Sequence, residues 1–344
     1  MGVQNTLLMD LVVVIDALDE CEGDSSVGQI LDIIMSLSTR NPIRILVSSC
    51  PEPEIYRRMV AHSDGNPDSR LTLHEIDIAQ VQNDIETHLH QELEEVPLTA
   101  AQLLRIVEKS GILFIYASTV ARYIKDGLIW SAHEERVDAV LGLSGPFHGN
   151  THQAIDGLYS TILHTALRNP KLNESNRSLL KTLLDIVICV QEPISPMTLA
   201  GFLGLKGSQQ VEGLLRSLYS VLHIAEKTGL VTTLHASFPD FMLDSQRSQY
   251  LCCNLLSVHQ MIAQACFTAI KENPVQFNIC GLESSYLLDS QVPNILGRVG
   301  TNITPKLFYS CWYWETHMEL GEINKNYITS CMIFFRRDCC FGWK

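Results

Sequence analysis

Three acidic side chains near the start of the sequence have the spacing of a phosphate-transfer site. Asp16 directly follows the apolar run Leu11–Ile15, and Asp19 and Glu20 come three and four residues later. An aspartate at the carboxyl end of a buried parallel strand lies where α/β sheets bind ligands, and in phosphoryl-transfer proteins it binds Mg²⁺. The two later acids are placed to polarise a water for attack on a γ-phosphate. The same pattern also fits any strand that runs into a solvated helix N-terminus.

The elements that would position these acids form a βαβ unit. Leu11–Ile15 shows no polar alternation, which predicts a strand buried on both faces. Apolar residues recur at helical spacing over residues 27–37, and residues 43–47 predict a second strand. Strand, helix and strand in this order imply a parallel sheet. A short third strand is predicted at residues 71–74.

The character of the chain changes after this unit, and helical spacing dominates the rest. The segments that predict helices are residues 78–93, 100–124, 155–167, 178–190 and much of 251–320. Two further helices and a short strand, Leu230–Leu234, follow the break at residues 192–196. Helices followed by a small β element suggest a winged-helix module. The fold class expected is therefore α/β followed by mainly α.

Several sequence motifs, taken together and in order, resemble one family over roughly residues 8–320. They read LVVVIDALDECEGD, RILVSSCPEPEI, GILFIYASTVARYI, GLYSTIL, QEPISPMTLAGFLGL, LHASFPDFMLD and FNICGLESSYLLDS. This set is similar to fungal NACHT-domain proteins, a branch of the STAND class of signalling P-loop NTPases.

The resemblance implies an order of domains along the chain. A partial NTPase core with an incomplete parallel sheet would span residues 1–78, and a helical domain residues 79–150. A helical linker with a winged-helix domain would span residues 151–250, and a C-terminal helical region residues 251–330. The cysteine-containing tail, residues 331–344, departs from the family pattern.

The resemblance also implies ATP or ADP and Mg²⁺ as ligands, with Asp16 in the position that binds the metal. The family's phosphate loop, GxxxxGK followed by Ser or Thr, occurs nowhere in the sequence. That loop supplies backbone N–H donors, a lysine and a hydroxyl. Without this lysine and these donors, nothing would offset the repulsion between a phosphate chain and Asp16, Asp19 and Glu20. The catalytic role of Asp19 and Glu20 is therefore expected to be vestigial. We therefore expect no cofactor in this chain, which starts too late for a complete ATPase.

Two further positions have a counterpart in the family. The family pattern SSRPE places an arginine at the sensor position, whereas this sequence has Cys50, which carries no fixed positive charge. His235 occupies the winged-helix position at which related proteins contact the β-phosphate of ADP. An imidazole suits that contact because it can donate a hydrogen bond to a phosphate oxygen. A half-buried histidine that closes a strand is the structural alternative.

Charge and composition exclude several classes of protein. The formal net charge is −13, and residues 1–110 hold 19 acidic and 7 basic side chains. Such a chain offers nucleic acid no basic surface, and residues 181–250 hold five bases against six acids, which counts against a DNA-binding winged helix.

No run approaches the length of a membrane span and no basic segment starts a secretory signal, so a cytoplasmic protein is expected. The 11 cysteines include no CxxC pair and are expected to be mostly buried thiols.

The function expected from these observations is that of a truncated NACHT/STAND signalling protein. It would act as a scaffold or regulatory fragment without independent ATP binding or hydrolysis, and its partners would be proteins, including other NACHT-type chains. The alternative is an ATP-hydrolysing NTPase whose phosphate loop comes from another chain or from an upstream segment.

Overall fold

The computed structural model describes residues 11–18, 21, 24–40, 43–50, 52–62, 76–129, 131–143, 151–284 and 286–322. The chain divides into two compact units, residues 1–77 and residues 78–344. The described elements of the first unit are β1 (Leu11–Ile15), α1 (Asp24–Arg40), β2 (Ile43–Val47) and α2 (Pro53–His62).

The first unit contains the predicted βαβ arrangement. β1 and β2 pair in parallel, with Leu11 opposite Ile43 and Ile15 opposite Val47. A small core forms where the helices α1 and α2 cover one face of the two strands. Its buried members are Leu18, Val27, Leu31 and Ile55, with Ile15, Ile30 and Val47 packed against them. The prediction of a parallel sheet is therefore confirmed.

The prediction that β1 is buried on both faces is wrong. Val12 and Val14 expose 56% and 64% of their surface, and Leu46 on β2 exposes 62%. Alternate residues of a strand point to opposite faces, and among the described residues only the face of Ile15 and Val47 packs against α1 and α2. The third predicted strand, residues 71–74, lies outside the described residues.

The second unit is mainly helical. Its helices are α3 (Ile78–Glu92), α4 (Ala100–Ser110), α5 (Phe114–Ile129), α6 (His133–Gly142), α7 (Thr151–Leu167), α8 (Glu174–Cys189), α9 (Pro196–Phe202), α10 (Gln209–Leu215), α11 (Ser237–Leu243), α12 (Ser245–Ser248), α13 (Leu255–Lys271), α14 (Ile295–Asn302) and α15 (Pro305–Leu320). Its strands are β3 (Leu222–Ile224) and β4 (Val231–Thr233). None of the helices in the described ranges has the length and apolar character needed to cross a membrane.

Local sequence signals account for where several of these helices begin. Thr99 and Gln102 form a reciprocal capping box at the start of α4. Ser195 accepts a hydrogen bond from the backbone N–H of Thr198 and is followed by a proline at the first helical position of α9. Thr304 caps α15 in the same way. These caps account for the residues at which α4, α9 and α15 begin, and the cap at Ser195 places the start of α9 directly after the predicted break at residues 192–196.

One continuous core runs through the second unit. It extends from Ile85 in α3 to Tyr309 in α15 and includes buried residues of every helix from α3 to α11. The most extensive helix pairing is that of α13 with α15. The finer division of residues 79–330 into three domains stays a prediction.

A short antiparallel hairpin interrupts the helices. Leu222 of β3 lies opposite Thr233 of β4, and Ile194, just before α9, forms an additional bridge with Val231. The connecting turn contains Gly229 at a φ of +67°, a conformation that favours glycine. The hairpin is thus a two-stranded sheet of its own, and β4 packs against α8.

Candidate functional site

Asp16 and Ser48 meet at the carboxyl ends of β1 and β2. The Ser48 hydroxyl donates a hydrogen bond to the Asp16 carboxylate, and the backbone N–H of Ala17 donates to the same hydroxyl at 3.1 Å. The backbone N–H of Leu18 donates to the Ser48 carbonyl at 3.0 Å, and that of Ser48 to the Ile15 carbonyl at 2.9 Å. The parallel register brings the two segments together, because residues that follow paired parallel strands emerge at the same edge.

The turn that leaves β1 has an unusual backbone. Ala17 has a φ of +53°, in the left-handed region that is disfavoured for residues with a Cβ. At this turn the Ala17 N–H donates to the Ser48 hydroxyl, and the Asp16 side chain is exposed at the edge of the sheet. The local strain accompanies a polar cluster, as it often does at functional sites.

The sequence predicts three further residues at this edge of the sheet, Cys50, Asp19 and Glu20. Cys50 is exposed and lies two residues after Ser48. Asp19 and Glu20 lie outside the described residues. Within the described part of the chain no group of three His, Cys, Asp or Glu side chains is placed to hold a metal ion. Asp16 and Ser48 supply one carboxylate and one hydroxyl, which do not make a Mg²⁺ site by themselves, because such sites draw on further carboxylates, waters or phosphates.

His235 belongs to the second unit and lies just after β4. Its Nδ1 accepts a hydrogen bond from the backbone N–H of Ser237 at 3.0 Å and lies 2.8 Å from the Ser237 hydroxyl. The Tyr159 hydroxyl lies 2.8 Å from the same Ser237 oxygen. Since a backbone N–H only donates, Nδ1 carries a lone pair, and the hydrogen-bond network assigns the ring proton to Nε2. His235 therefore presents an Nε2–H donor from an exposed side chain.

Helix α7 anchors the segment that carries His235. The Tyr159 ring is buried and packs edge-on against Phe238, with ring centroids 5.0 Å apart. Burial raises the pKa of Tyr159, so its hydroxyl stays protonated and can donate to Ser237. Arg247 of α12 forms a two-pronged ion pair with Asp156 of α7, at 3.0 and 2.7 Å. The segment that carries the imidazole is thus tied to α7 by a hydrogen bond, a ring contact and an ion pair, and its Nε2–H can donate one hydrogen bond to an anion.

Sequence reasoning missed a buried histidine pair in the second unit. The Nδ1 atoms of His259 on α13 and His317 on α15 lie 2.8 Å apart. The Tyr309 hydroxyl lies 2.8 Å from His317 Nε2 and accepts a hydrogen bond from the backbone N–H of Gln191 at 3.0 Å. Burial lowers the pKa of His317 to about 4 and also lowers that of His259. The only sequence signal was the position of both histidines on the apolar faces of helices.

The comparisons with known proteins give no match. No protein-family model matches the chain, and neither a curated protein nor a solved structure matches it.

Proposed function

We propose that this chain is a NACHT-type STAND signalling protein that acts as a scaffold or regulatory fragment rather than as an independent ATPase. The observation that carries the proposal is the parallel pair β1 and β2, with Asp16 hydrogen-bonded to Ser48 at their carboxyl ends. By resemblance, these are the strand that bears the Mg²⁺-binding aspartate and the strand that leads to the sensor position, here Cys50.

The order of elements in the second unit supports the same proposal. The helices α8, α9 and α10 precede the β3–β4 hairpin, and Ile194 adds a bridge to Val231. This is the order expected of a winged-helix domain, and His235 follows the second strand of the hairpin. The position and tautomer of His235 suit the phosphate contact that the resemblance implies.

Neither unit by itself offers, at these positions, the side chains that strong nucleotide binding needs. Asp16 would repel a triphosphate, and the sequence holds no GxxxxGK loop to offset that repulsion. The His235 Nε2–H contributes one hydrogen bond, worth about 0.5–1.5 kcal/mol net. Micromolar affinity requires roughly 8 kcal/mol. We therefore propose that neither ATP nor ADP binds this chain with micromolar affinity.

The exposed sheet face supports a role in protein association. Val12, Val14 and Leu46 are exposed on one face of β1 and β2, beside the exposed Arg44, and clusters of exposed apolar side chains mark interaction sites. We propose protein partners in the cytoplasm, including other NACHT-type chains, and no nucleic acid.

Isothermal titration of the purified 344-residue chain with Mg-ATP and with ADP tests the proposal. We expect no saturable heat at micromolar concentrations of either nucleotide. Micromolar binding that is lost in His235→Ala would overturn the proposal and favour the alternative, a nucleotide-binding NTPase. The control variant His223→Ala changes an exposed histidine in the same hairpin and should behave as the wild type.

A further inference from the structure

Two buried thiols from distant parts of the sequence lie in contact in the second unit. Cys189 is the last residue of α8, and Cys253 lies just before α13. Their sulfur atoms are 3.5 Å apart, and each residue is only 4% exposed. Both are reduced in the structure, as are the other described cysteines.

We propose that Cys189 and Cys253 form an oxidation site at which a reversible disulfide ties the end of α8 to the segment before α13. A disulfide requires a sulfur–sulfur distance of about 2.05 Å, so the two sulfur atoms must approach by roughly 1.5 Å. The backbone N–H of Cys253 donates to the Met242 carbonyl at 2.8 Å, which holds the residue in register. Closing the remaining gap requires a rotation of the side chains together with a shift of the backbone.

The neighbouring Cys252 is turned away from this pair. Its sulfur is directed towards the Leu243 carbonyl at 3.8 Å, whereas the sulfur of Cys253 faces Cys189 and the Asp185 carbonyl. The pairing of Cys189 with Cys253 is therefore favoured over any pairing that uses Cys252, even though Cys252 is the more exposed residue.

The reaction balances with a peroxide as the oxidant. One thiol attacks hydrogen peroxide, its sulfur is oxidised to sulfenic acid, and one water leaves. The second thiol then attacks the sulfenic sulfur, the S–S bond forms, and its proton leaves with the hydroxyl as a second water. Two electrons pass from the two thiols to the peroxide. A dithiol reductant reverses the step by thiol–disulfide exchange.

The surroundings of the pair make this oxidation slow and dependent on pH. The contact with Cys189 and burial both raise the pKa of Cys253, so little of it is thiolate at neutral pH. The peroxide also reaches the pair only through transient opening, because both residues are buried. The rate of disulfide formation should therefore increase with pH. At any one pH it should be lower than the rate at which the exposed Cys21 and Cys50 are oxidised.

The disulfide would close a loop that contains α9, α10, the β3–β4 hairpin, α11 and α12. Cross-linking residues 189 and 253 removes conformational freedom from the unfolded chain. We expect the melting temperature of the second unit to increase by about 5–10 °C, less than the full entropic effect because closing the gap introduces strain.

Oxidation of the folded full-length chain with hydrogen peroxide tests the proposal. After the remaining thiols are blocked and the chain is digested, mass spectrometry should find a peptide pair joined through Cys189 and Cys253, and dithiothreitol should release it. The melting temperature should increase after oxidation in the wild type and in Cys266→Ala, which removes a different buried thiol. It should not increase in Cys189→Ala.

Two results would overturn the proposal. One is the absence of the Cys189–Cys253 peptide while the exposed cysteines are oxidised, or its replacement by a pair that contains Cys252. The other is an increase in melting temperature that persists in Cys189→Ala. The peptide result uses the wild-type chain and therefore does not depend on how the variants fold.

Discussion

The imidazole of His317 is fully buried, and both of its ring nitrogens contact neutral partners, His259 and the Tyr309 hydroxyl. With neutral imidazoles this chain of hydrogen bonds is complete. Burial disfavours a positive charge on either ring, and protonation of both would place two N–H donors opposite one another. The stability of the second unit should therefore depend on the protonation of this histidine pair.

We predict that the free energy of unfolding of the second unit decreases as pH falls from about 6.5 to 4. The pKa of His317 is about 4 in the folded chain and near 6.5 when unfolded, so only the unfolded state binds the proton in this interval. The stabilisation is fully present above the unfolded value, and its loss is on the order of 2–4 kcal/mol. Urea denaturation of the wild type and of His317→Gln at pH 7 and pH 4.5 measures it. An unchanged pH dependence in His317→Gln would contradict the assignment, and His90→Gln, at an exposed site, is the control.

Asp126 should act in the opposite direction. Burial raises its pKa to about 6, above the unfolded value, although Arg136 and Arg122 partly offset the effect. The folded state therefore disfavours the charged carboxylate at pH 7, and this penalty decreases as pH falls from about 6 towards the unfolded value near 3.9. We predict that Asp126→Asn increases the free energy of unfolding by about 1–2 kcal/mol at pH 7, after allowance for partial solvation, and by little at pH 4.5. Urea titrations at both pH values measure the difference, and equal effects at both would refute it.

At the scale of elements, the ion pair between Arg247 and Asp156 joins the short helix α12 to α7. Both side chains are partly buried, with 23% of Arg247 and 17% of Asp156 exposed, so removal of one partner leaves a partly desolvated charge. The neighbouring Tyr159–Ser237–His235 network depends on the same packing of α11 and α12 against α7. The position of His235 therefore depends on the packing of α7, α11 and α12 and not only on its own loop.

We predict that Asp156→Ala lowers the free energy of unfolding by about 1–3 kcal/mol, between the values for surface and buried pairs, because Arg247 is left partly buried without its partner. Thermal or urea denaturation measures the loss, and a double variant that also carries Arg247→Ala should recover part of it. Glu174→Ala is the matched control, since its ion pair with Arg177 on α8 is exposed and should contribute less than about 1 kcal/mol. Equal losses in the two single variants would show that burial does not matter here.

At the scale of the whole molecule, the second unit shares one core from α3 to α15. The first four helices of this unit do not form an independent layer. Tyr123 of α5 is buried and its hydroxyl lies 2.8 Å from Thr165 of α7, and α5 packs along α7. Removal of α3 to α6 would expose the apolar surface of α7.

We predict that a fragment of residues 78–322 unfolds cooperatively and that a fragment of residues 151–322 does not. The shorter fragment lacks the residues that cover α7, so it should bind a hydrophobic dye and aggregate. Circular dichroism melts and dye binding of the two fragments measure the difference. A cooperative melt of residues 151–322 would support the separate domains that the sequence resemblance predicts.

Much of the local structure follows from the sequence alone. The apolar run Leu11–Ile15 predicts β1, and the helical spacing and the Ser195–Pro196 break predict α8 and α9. These signals are local, because they depend on side-chain period, capping and backbone restriction. Even the meeting of Asp16 with the residues after β2 follows, since a βαβ unit places the ends of its parallel strands at one edge.

The tertiary structure alone decided which apolar side chains are covered and which distant polar groups meet. The exposure of Val12 and Val14 depends on what packs on each face of the sheet, and periodicity does not report that. The contacts His259–His317 and Cys189–Cys253 join residues 58 and 64 positions apart. Such pairs form because whole helices pack together, so their thiol and imidazole chemistry arises from the packing of the core and not from any motif in the chain.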